Sequence, residues 1–499
     1  VSANIVLFPL SLRSKTNKIS LSARCAVVFA AAVFLLCAFP QGVRAGEGSG
    51  AHFDRGKANQ LLMRADGAQL ERLTVDYGIR VVRRLATAEG EIQLIEGPDG
   101  LSADQTADLL AADPAVHTLE PALLTALFAE DGGSEPAPQS GEVVADLLRV
   151  GEFTTPCLAE TFGAGTWSGY AAQSATELLH LHGAHAAVQC GGATVAIIDT
   201  GIDPNHALLQ GALIPGYDFL EETAGFASEW SSLHQSVRVI VEQSVRVIVE
   251  QSVRVIVEGR GDSELESSIA PILSAEGQPE LAAENLPPFF GHGTMVAGLL
   301  RLTSPGSKIM PLRVFDGQGT AHLFDIIDAI YFAVDHGADI INMSFSVATP
   351  SAELQRAIQY AHQHGVLCVA AAGNQADRAM VYPAAYGQVI GVASTTLDDT
   401  LSDFSNYGSG LVAVAAPGSG VVSLFPGGGY AAGWGTSFST PFVSGTLALL
   451  HSRDGGDRST GVVQQRRIDL QQGSLDLPLL TGLIGSGRLD SLGALDPKL

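Results

Sequence analysis

From about residue 165 the chain alternates short, continuous apolar runs with amphipathic stretches. ATVAIID, KIMPLRVF, DIINMSFS, VLCVAAAGN and VIGVAST read as strands. HLFDIIDAIYFAVDHG and AELQRAIQYAHQHG carry apolar residues at helical spacing, and Gly337 and Gly365 stand where those helices should stop. Strands apolar throughout, placed between helices, predict an α/β architecture with a mainly parallel sheet covered on both faces. On such sheets functional residues collect at the carboxyl ends of strands. Residues 51 to about 130 follow another pattern. IRVVRRL, EIQLIEG and VHTLEPALL read as strands, and SADQTADLLAADP reads as a helix with Ser102 as N-cap and Pro114 as its stop. That predicts a small α+β unit. DGGSEPAPQSGE, residues 131–142, is a linker by its Gly, Pro and charge.

One segment fits neither pattern. QSVRVIVE is written three times without change over residues 235–258. In the first copy Val237, Val239 and Val241 fall on one face and Arg238, Ile240 and Glu242 on the other, which is strand patterning. The copies join through Gln-Ser, with no Gly or Asn for a tight hairpin. The repeat is read as a tandem duplication tolerated in a surface insertion, with pairing to a partner or a sheet edge as the lesser reading. It carries no catalytic residue.

Bulk properties narrow the function. Of 499 residues 46% are hydrophobic, enough for a large core and more than one domain. The 52 acidic and 28 basic residues give a formal charge of −24, which argues against broad nucleic-acid binding. Arg13, Lys15, Lys18 and Arg24 precede the apolar run CAVVFAAAVFLLCAF, and Val43 and Ala45 are small residues placed before a cut. Residues 1–45 are thus expected to be a secretory signal peptide, and the mature protein a secreted or extracytoplasmic one without a stable membrane anchor. Cys25 and Cys37 would leave with the signal. Cys157 and Cys190 could pair in an oxidising compartment, and Cys368, within VLCVAAA, reads as a buried thiol.

Three stretches carry candidate chemistry. VAIIDTGID, residues 195–203, ends a buried strand on Asp199. GHGTMVAGLL, residues 291–300, opens a helix on His292 between two glycines. GTSFSTPFVSG, residues 435–445, sets Ser437 at the start of a helix, with Pro441 expected in its first turn. Each alone has an ordinary structural reading: a turn aspartate, a structural histidine, an N-cap serine. Together they supply a nucleophile near free backbone N–H groups, a base for its proton, and a carboxylate to orient that base.

In the order Asp199, His292, Ser437 the chain resembles the subtilisin-like serine proteases, or subtilases, over roughly residues 165–495. AAAGN, INMSFS, RVFDGQGT, YPAAYGQVIGV, FSNYG, VAAPG and GSGRLDSLGAL also match. The resemblance implies a three-layer sandwich around the parallel sheet. It implies a serine endopeptidase with Asn374 and the Ser437 N–H holding the oxyanion. It implies substrate-binding positions at Gly317, Gly319, Ser344, Phe345, Ser346, Ala371, Ala372, Gly373 and Val381. Residues 46–130 would be an inhibitor-type propeptide, cut away by the enzyme itself. Residues 143–499 would be the catalytic domain, with an insertion at about 220–288. Partners would be protein or peptide substrates and the chain's own propeptide. No cofactor is required; structural calcium is common in such proteins, but no ligands are assignable because the segment between Asp199 and His292 is rewritten. His180, His182 and His185 are spaced so as to point apart on a helix and are not read as a metal site.

Two positions depart from the family pattern. Ser344-Phe345-Ser346-Val347 stands where Ser-x-Gly-Gly is common, and Val381 stands where a smaller residue often floors the specificity pocket. An apolar, somewhat shallow pocket is expected. The departures also raise the alternative of a subtilase-fold scaffold with weak activity, using the acidic insertion to bind a partner.

Overall fold

The computed structural model describes residues 59–122, 124–126, 168–232, 253–257 and 286–496, together with Leu158, Thr161, Phe162 and Thr166. The signal segment, the linker, Cys157 and the first two repeat copies lie outside the described residues.

The N-terminal unit contains β1 (Gln60–Ala65), α1 (Leu70–Tyr77), β2 (Arg80–Thr87), β3 (Gly90–Glu96), α2 (Ala103–Leu110) and β4 (Val116–Pro121). Its antiparallel sheet has the order β2-β3-β1-β4. Ser102 caps α2 as predicted, in a reciprocal box with Gln105 that is worth about 1 kcal/mol. Alternation along β1 divides its side chains between two faces. Leu61, Met63 and Ala65 join Leu70, Leu73, Ile95 and Leu110 in a core belonging to the unit itself. Arg64 faces the other way and meets the main body of the chain at Glu353. A short strand, β5 (Leu124–Ala126), follows.

The main sheet has the order β15-β14-β13-β12-β6-β10-β7-β8. Its members are β6 (Thr194–Asp199), β7 (Gly216–Asp218), β8 (Thr223–Gly225), β10 (Lys308–Arg313), β12 (Ile340–Met343), β13 (Leu367–Ala371), β14 (Val389–Thr395) and β15 (Val414–Pro417). All neighbours are parallel except the β7–β8 pair. Every strand predicted from a continuous apolar run is present, and the predicted helices form α4 (Leu323–Asp335) and α5 (Ala352–Gln363). Gly337 and Gly365 follow them with φ of 82° and 74°, the left-handed region in which glycine has no side-chain penalty.

Two more helices matter for function: α3 (His292–Thr303) and α6 (Thr436–Arg453). Nearly every residue of the 18-residue α6 is buried, so it runs through the core rather than over it. Two features differ from expectation. Helix α6 begins at Thr436, so Pro441 falls in its second turn rather than its first. The body of the fold also extends further into the expected insertion, because β8 pairs with β7 in the main sheet and Glu229 is buried.

The third repeat copy forms β9 (Val253–Val257), which lies parallel to β17 (Gly429–Trp434), itself paired with β16 (Ser419–Phe425). Val257 is in register with Trp434, three residues before Ser437. At least one copy of the octapeptide thus forms a strand.

Candidate active site

The carboxyl ends of adjacent strands bring the candidate residues together. Asp199 is the last residue of β6, Ser344 follows β12, and Ala372, Gly373 and Asn374 follow β13. Strand β12 lies between β6 and β13, so all three loops project from the same end of the sheet.

Asp199 and His292 meet directly. Asp199 Oδ1 lies 2.7 Å from His292 Nδ1 and also accepts the Thr200 N–H at 2.7 Å. Both side chains are buried. The glycines around His292 have separate physical roles. A Cβ on Gly293 would sit 2.0 Å from Gly201 O and 3.1 Å from Asp199 Oδ1, so a side chain there would push the pair apart. Gly291 caps α3 with φ 97°, and its N–H donates to Glu229 Oε2 at 2.7 Å. The Phe438 ring packs on the imidazole at a centroid distance of 5.5 Å.

Ser437 is the second residue of α6, beside N–H groups that have no partner within the helix. Its Oγ donates to Ser344 O at 2.9 Å, and in return Ser344 Oγ donates to Ser437 O at 2.9 Å. The position of Pro441 explains the second bond. Proline has no N–H to offer the carbonyl four residues back, which is that of Ser437. Ser344 fills the gap and is itself oriented by Asn342, whose Oδ1 accepts from Ser444 of α6. The central helix and β12 are thereby tied at Ser437.

Asn374 Oδ1 accepts two hydrogen bonds from Thr436, from N at 3.0 Å and Oγ1 at 2.9 Å. Holding the amide oxygen this way assigns the NH2 group to the opposite side, as an oxyanion donor needs. Gly373 has φ 95°, and a Cβ there would lie 2.6 Å from Asn406 Nδ2. Asn406 braces the loop by donating from N to Gly373 O and accepting at Oδ1 from Gln375 N and Asp377 N.

The expected substrate-binding residues fall in three places. Ala371 ends β13, and Ala372 and Gly373 follow it. Ser344, Phe345 and Ser346 are buried, with Phe345 packed on Phe315 at 5.2 Å, and Val347 pairs with Tyr382 next to Val381. Gly317 and Gly319 lie in a turn closed by Asp316, just before β11 (Thr320–His322). Strand β5 runs antiparallel to β11, so chain following the α+β unit lies alongside this segment.

The unit also grips the body. Arg64 Nη2 donates to Glu353 Oε2 at 2.8 Å, and Thr118 Oγ1 donates to Glu353 Oε1 at 2.6 Å. Burial alone would raise the Glu353 carboxyl, but these bonds more than offset it and hold it below its usual range. Glu120 caps the start of α5, accepting from Ser351 Oγ, Ala352 N and Glu353 N. Arg83 is paired with Asp325, lies 3.5 Å from Asp328 and stacks over Phe324.

Among the described residues no group of three or more His, Cys, Asp or Glu side chains is arranged to hold a metal ion. His180 bonds Asp490 and His185 bonds Thr303 O. Cys190 is disulfide-bonded, and Cys368 is a free buried thiol pushed up to about 12 by burial. No described helix is long and apolar enough to cross a membrane. Sequence reasoning singled out Asp199, His292, Ser437 and Asn374. It did not single out Glu229, Asn342, Thr436 or Asn406; the last three sit inside motifs that it quoted, whereas Glu229 has no local signal.

Comparison with known proteins agrees with this architecture. Residues 191–466 match the model of the subtilase family. Thermitase from Thermoactinomyces vulgaris is 33% identical over 262 residues, which span 52% of this chain and 76% of thermitase. A thermophilic serine proteinase from Bacillus sp. strain AK1 is 32% identical over 262 residues, 53% of its length. The chain therefore belongs to the subtilase family of serine endopeptidases. The crystal structure of fervidolysin from Fervidobacterium pennivorans shares the fold, with a TM-score of 0.61 at 21% identity over 88% of this chain and 61% of fervidolysin.

Proposed function

We propose that the protein hydrolyses peptide bonds through Asp199, His292 and Ser437, with Asn374 and the Ser437 N–H stabilising the oxyanion. The Asp199–His292 pair carries the reading, because a buried carboxylate on Nδ1 leaves Nε2 as the base and stabilises the imidazolium. In the first step Ser437 Oγ attacks the scissile carbonyl carbon, and its proton passes to His292 Nε2. The carbonyl π electrons move to oxygen, where the amide donors hold the charge. Collapse expels the amine with the proton from His292 and leaves an acyl-enzyme. Water then attacks, again deprotonated by His292, and Ser437 leaves with that proton. No cofactor takes part. A fluorophosphonate probe tests this reading. Covalent labelling of the processed wild type, mapped to Ser437 and absent from Ser437→Ala, is the expected result; folded wild type that stays unlabelled overturns it.

The same reading makes the α+β unit an intramolecular inhibitor that the enzyme removes from itself, and makes the protein an exported one. Three features support inhibition: the separate core of the unit, its polar grip on α4 and α5, and the β5–β11 pairing beside the expected substrate segment. The substrate would be an extended protein or peptide chain.

A further inference from the structure

Glu229 is buried at 1% exposure yet belongs to a short 3-10 turn, Glu229–Ser232, at the edge of the segment that carries the repeats. Its carboxylate spans the two loops that bear Asp199 and His292. Oε2 accepts the Gly291 N–H at 2.7 Å and lies 3.5 Å from Thr200 Oγ1, whose residue follows Asp199. Oε1 is bonded to Thr294 Oγ1, two residues after His292. The network continues outward: Gly293 N donates to Thr200 Oγ1 at 3.1 Å, and Asp203 N donates to Thr294 Oγ1 at 2.8 Å.

From this geometry we infer that Glu229 is a positioning residue for catalysis, clamping the start of α3 to the loop after β6 so that His292 and Asp199 keep their contact. The inference rests on the triad reading above. Every partner of the carboxylate named here is a dipole on one of those two loops. A misplacement of about 1 Å at such a pair is enough to cost about 100-fold in rate. A neutral carboxyl can donate to Thr294 Oγ1 while accepting from Gly291, whereas the charged form can only accept from both, so ionisation reverses the Thr294 bond and alters the clamp. Burial, reinforced by Asp203 and Asp199 and opposed by the bonds from Thr294 and Gly291, pushes the Glu229 carboxyl up to about 8. The charged and titratable groups around it are Asp199, Asp203, His292 and Arg313, the last paired with Asp218.

The test uses the full chain, incubated until its peptidase activity is constant, with a short peptide substrate and pH profiles from 5 to 10. Wild type is compared with Glu229→Ala, Glu229→Gln and Ser437→Ala. Glu229→Ala should lose about 10- to 100-fold in kcat with KM within about two-fold. Glu229→Gln, which reproduces the neutral hydrogen-bond pattern, should restore most of that loss below pH 7 and should lack the inflection near pH 8 that is expected of wild type. Should Glu229→Ala fail to fold, the Gln variant still decides. Wild-type kcat in a folded Ala variant, or an unchanged pH profile in the Gln variant, overturns the inference. If wild type itself is inactive, or Ser437→Ala is as active as wild type, the triad reading has failed instead.

Discussion

Two buried glutamates, in two regions of the molecule, are handled in opposite ways. Glu353 lies where the α+β unit meets the catalytic body and is kept charged by Arg64, with Thr118 and Arg356 alongside. Glu229 lies in the candidate active site and is held by a backbone N–H and hydroxyl groups, with its carboxyl pushed up rather than down. The contrast separates two kinds of contact. An ion pair between two bodies desolvates both partners for modest net gain, and either charge is rehydrated when they part. Fixed dipoles within one body cost no reorganisation during reaction and keep the geometry of the centre constant. The first kind would suit the proposed release of the α+β unit, and the second a site whose geometry is held constant.

Substitutions in each region can break or sharpen this contrast. The largest effect belongs to the centre. His292→Ala should lower kcat by about 10⁴-fold or more with little change in KM, read from steady-state peptide hydrolysis. Asn374→Ala should cost about 10²- to 10³-fold in kcat, equivalent to about 2.7 to 4 kcal/mol, again with KM nearly constant. Effects at the junction should be smaller and should appear in release rather than chemistry. Arg64→Ala removes the cation that the unit itself supplies to Glu353, leaving only Arg356 of the body, and should weaken the hold of the unit by about 2 kcal/mol, seen as earlier onset of peptidase activity. Acidity should do the same in wild type. Because the Glu353 carboxyl is held low in the docked state, its contribution is present above the ordinary glutamate range and is lost as pH falls below it. Onset of activity should therefore quicken in acid. The smallest effect is expected at the repeat. Deleting residues 235–242 keeps an identical octapeptide before the sequence that forms β9, so melting temperature should stay within about 2 °C and kcat within about two-fold. A large loss would mean that the spacing, and not just the strand, is used.

The same contrast explains what could be read from the sequence. The sheet was legible because β6, β12, β13 and β14 come from nearly continuous apolar runs of strand length, the pattern of strands covered on both faces. Asp199, His292, Ser437 and Asn374 were legible because each sits at a strand end or helix start inside a compact motif. Glu229 was not. It is one acid in the polar run ASEWSS, and its role exists only because the chain folds back against the start of α3. The placement of Pro441 was misjudged for a related reason. A proline in a second turn is unfavourable locally and is tolerated here because Ser344, a residue of another element, satisfies the Ser437 carbonyl. The body also reaches beyond the expected start of the insertion, since three residues of β8, too few to show alternation, pair with β7.

The central claim is that Ser437 is the nucleophile of an enzyme that processes its own N-terminal unit. The most direct measurement follows the chain lacking residues 1–45 on a denaturing gel over time, as wild type and as Ser437→Ala. Wild type should shorten by the mass of the α+β unit while Ser437→Ala stays whole. Shortening of both at the same rate, or of neither although both are folded, would contradict the account.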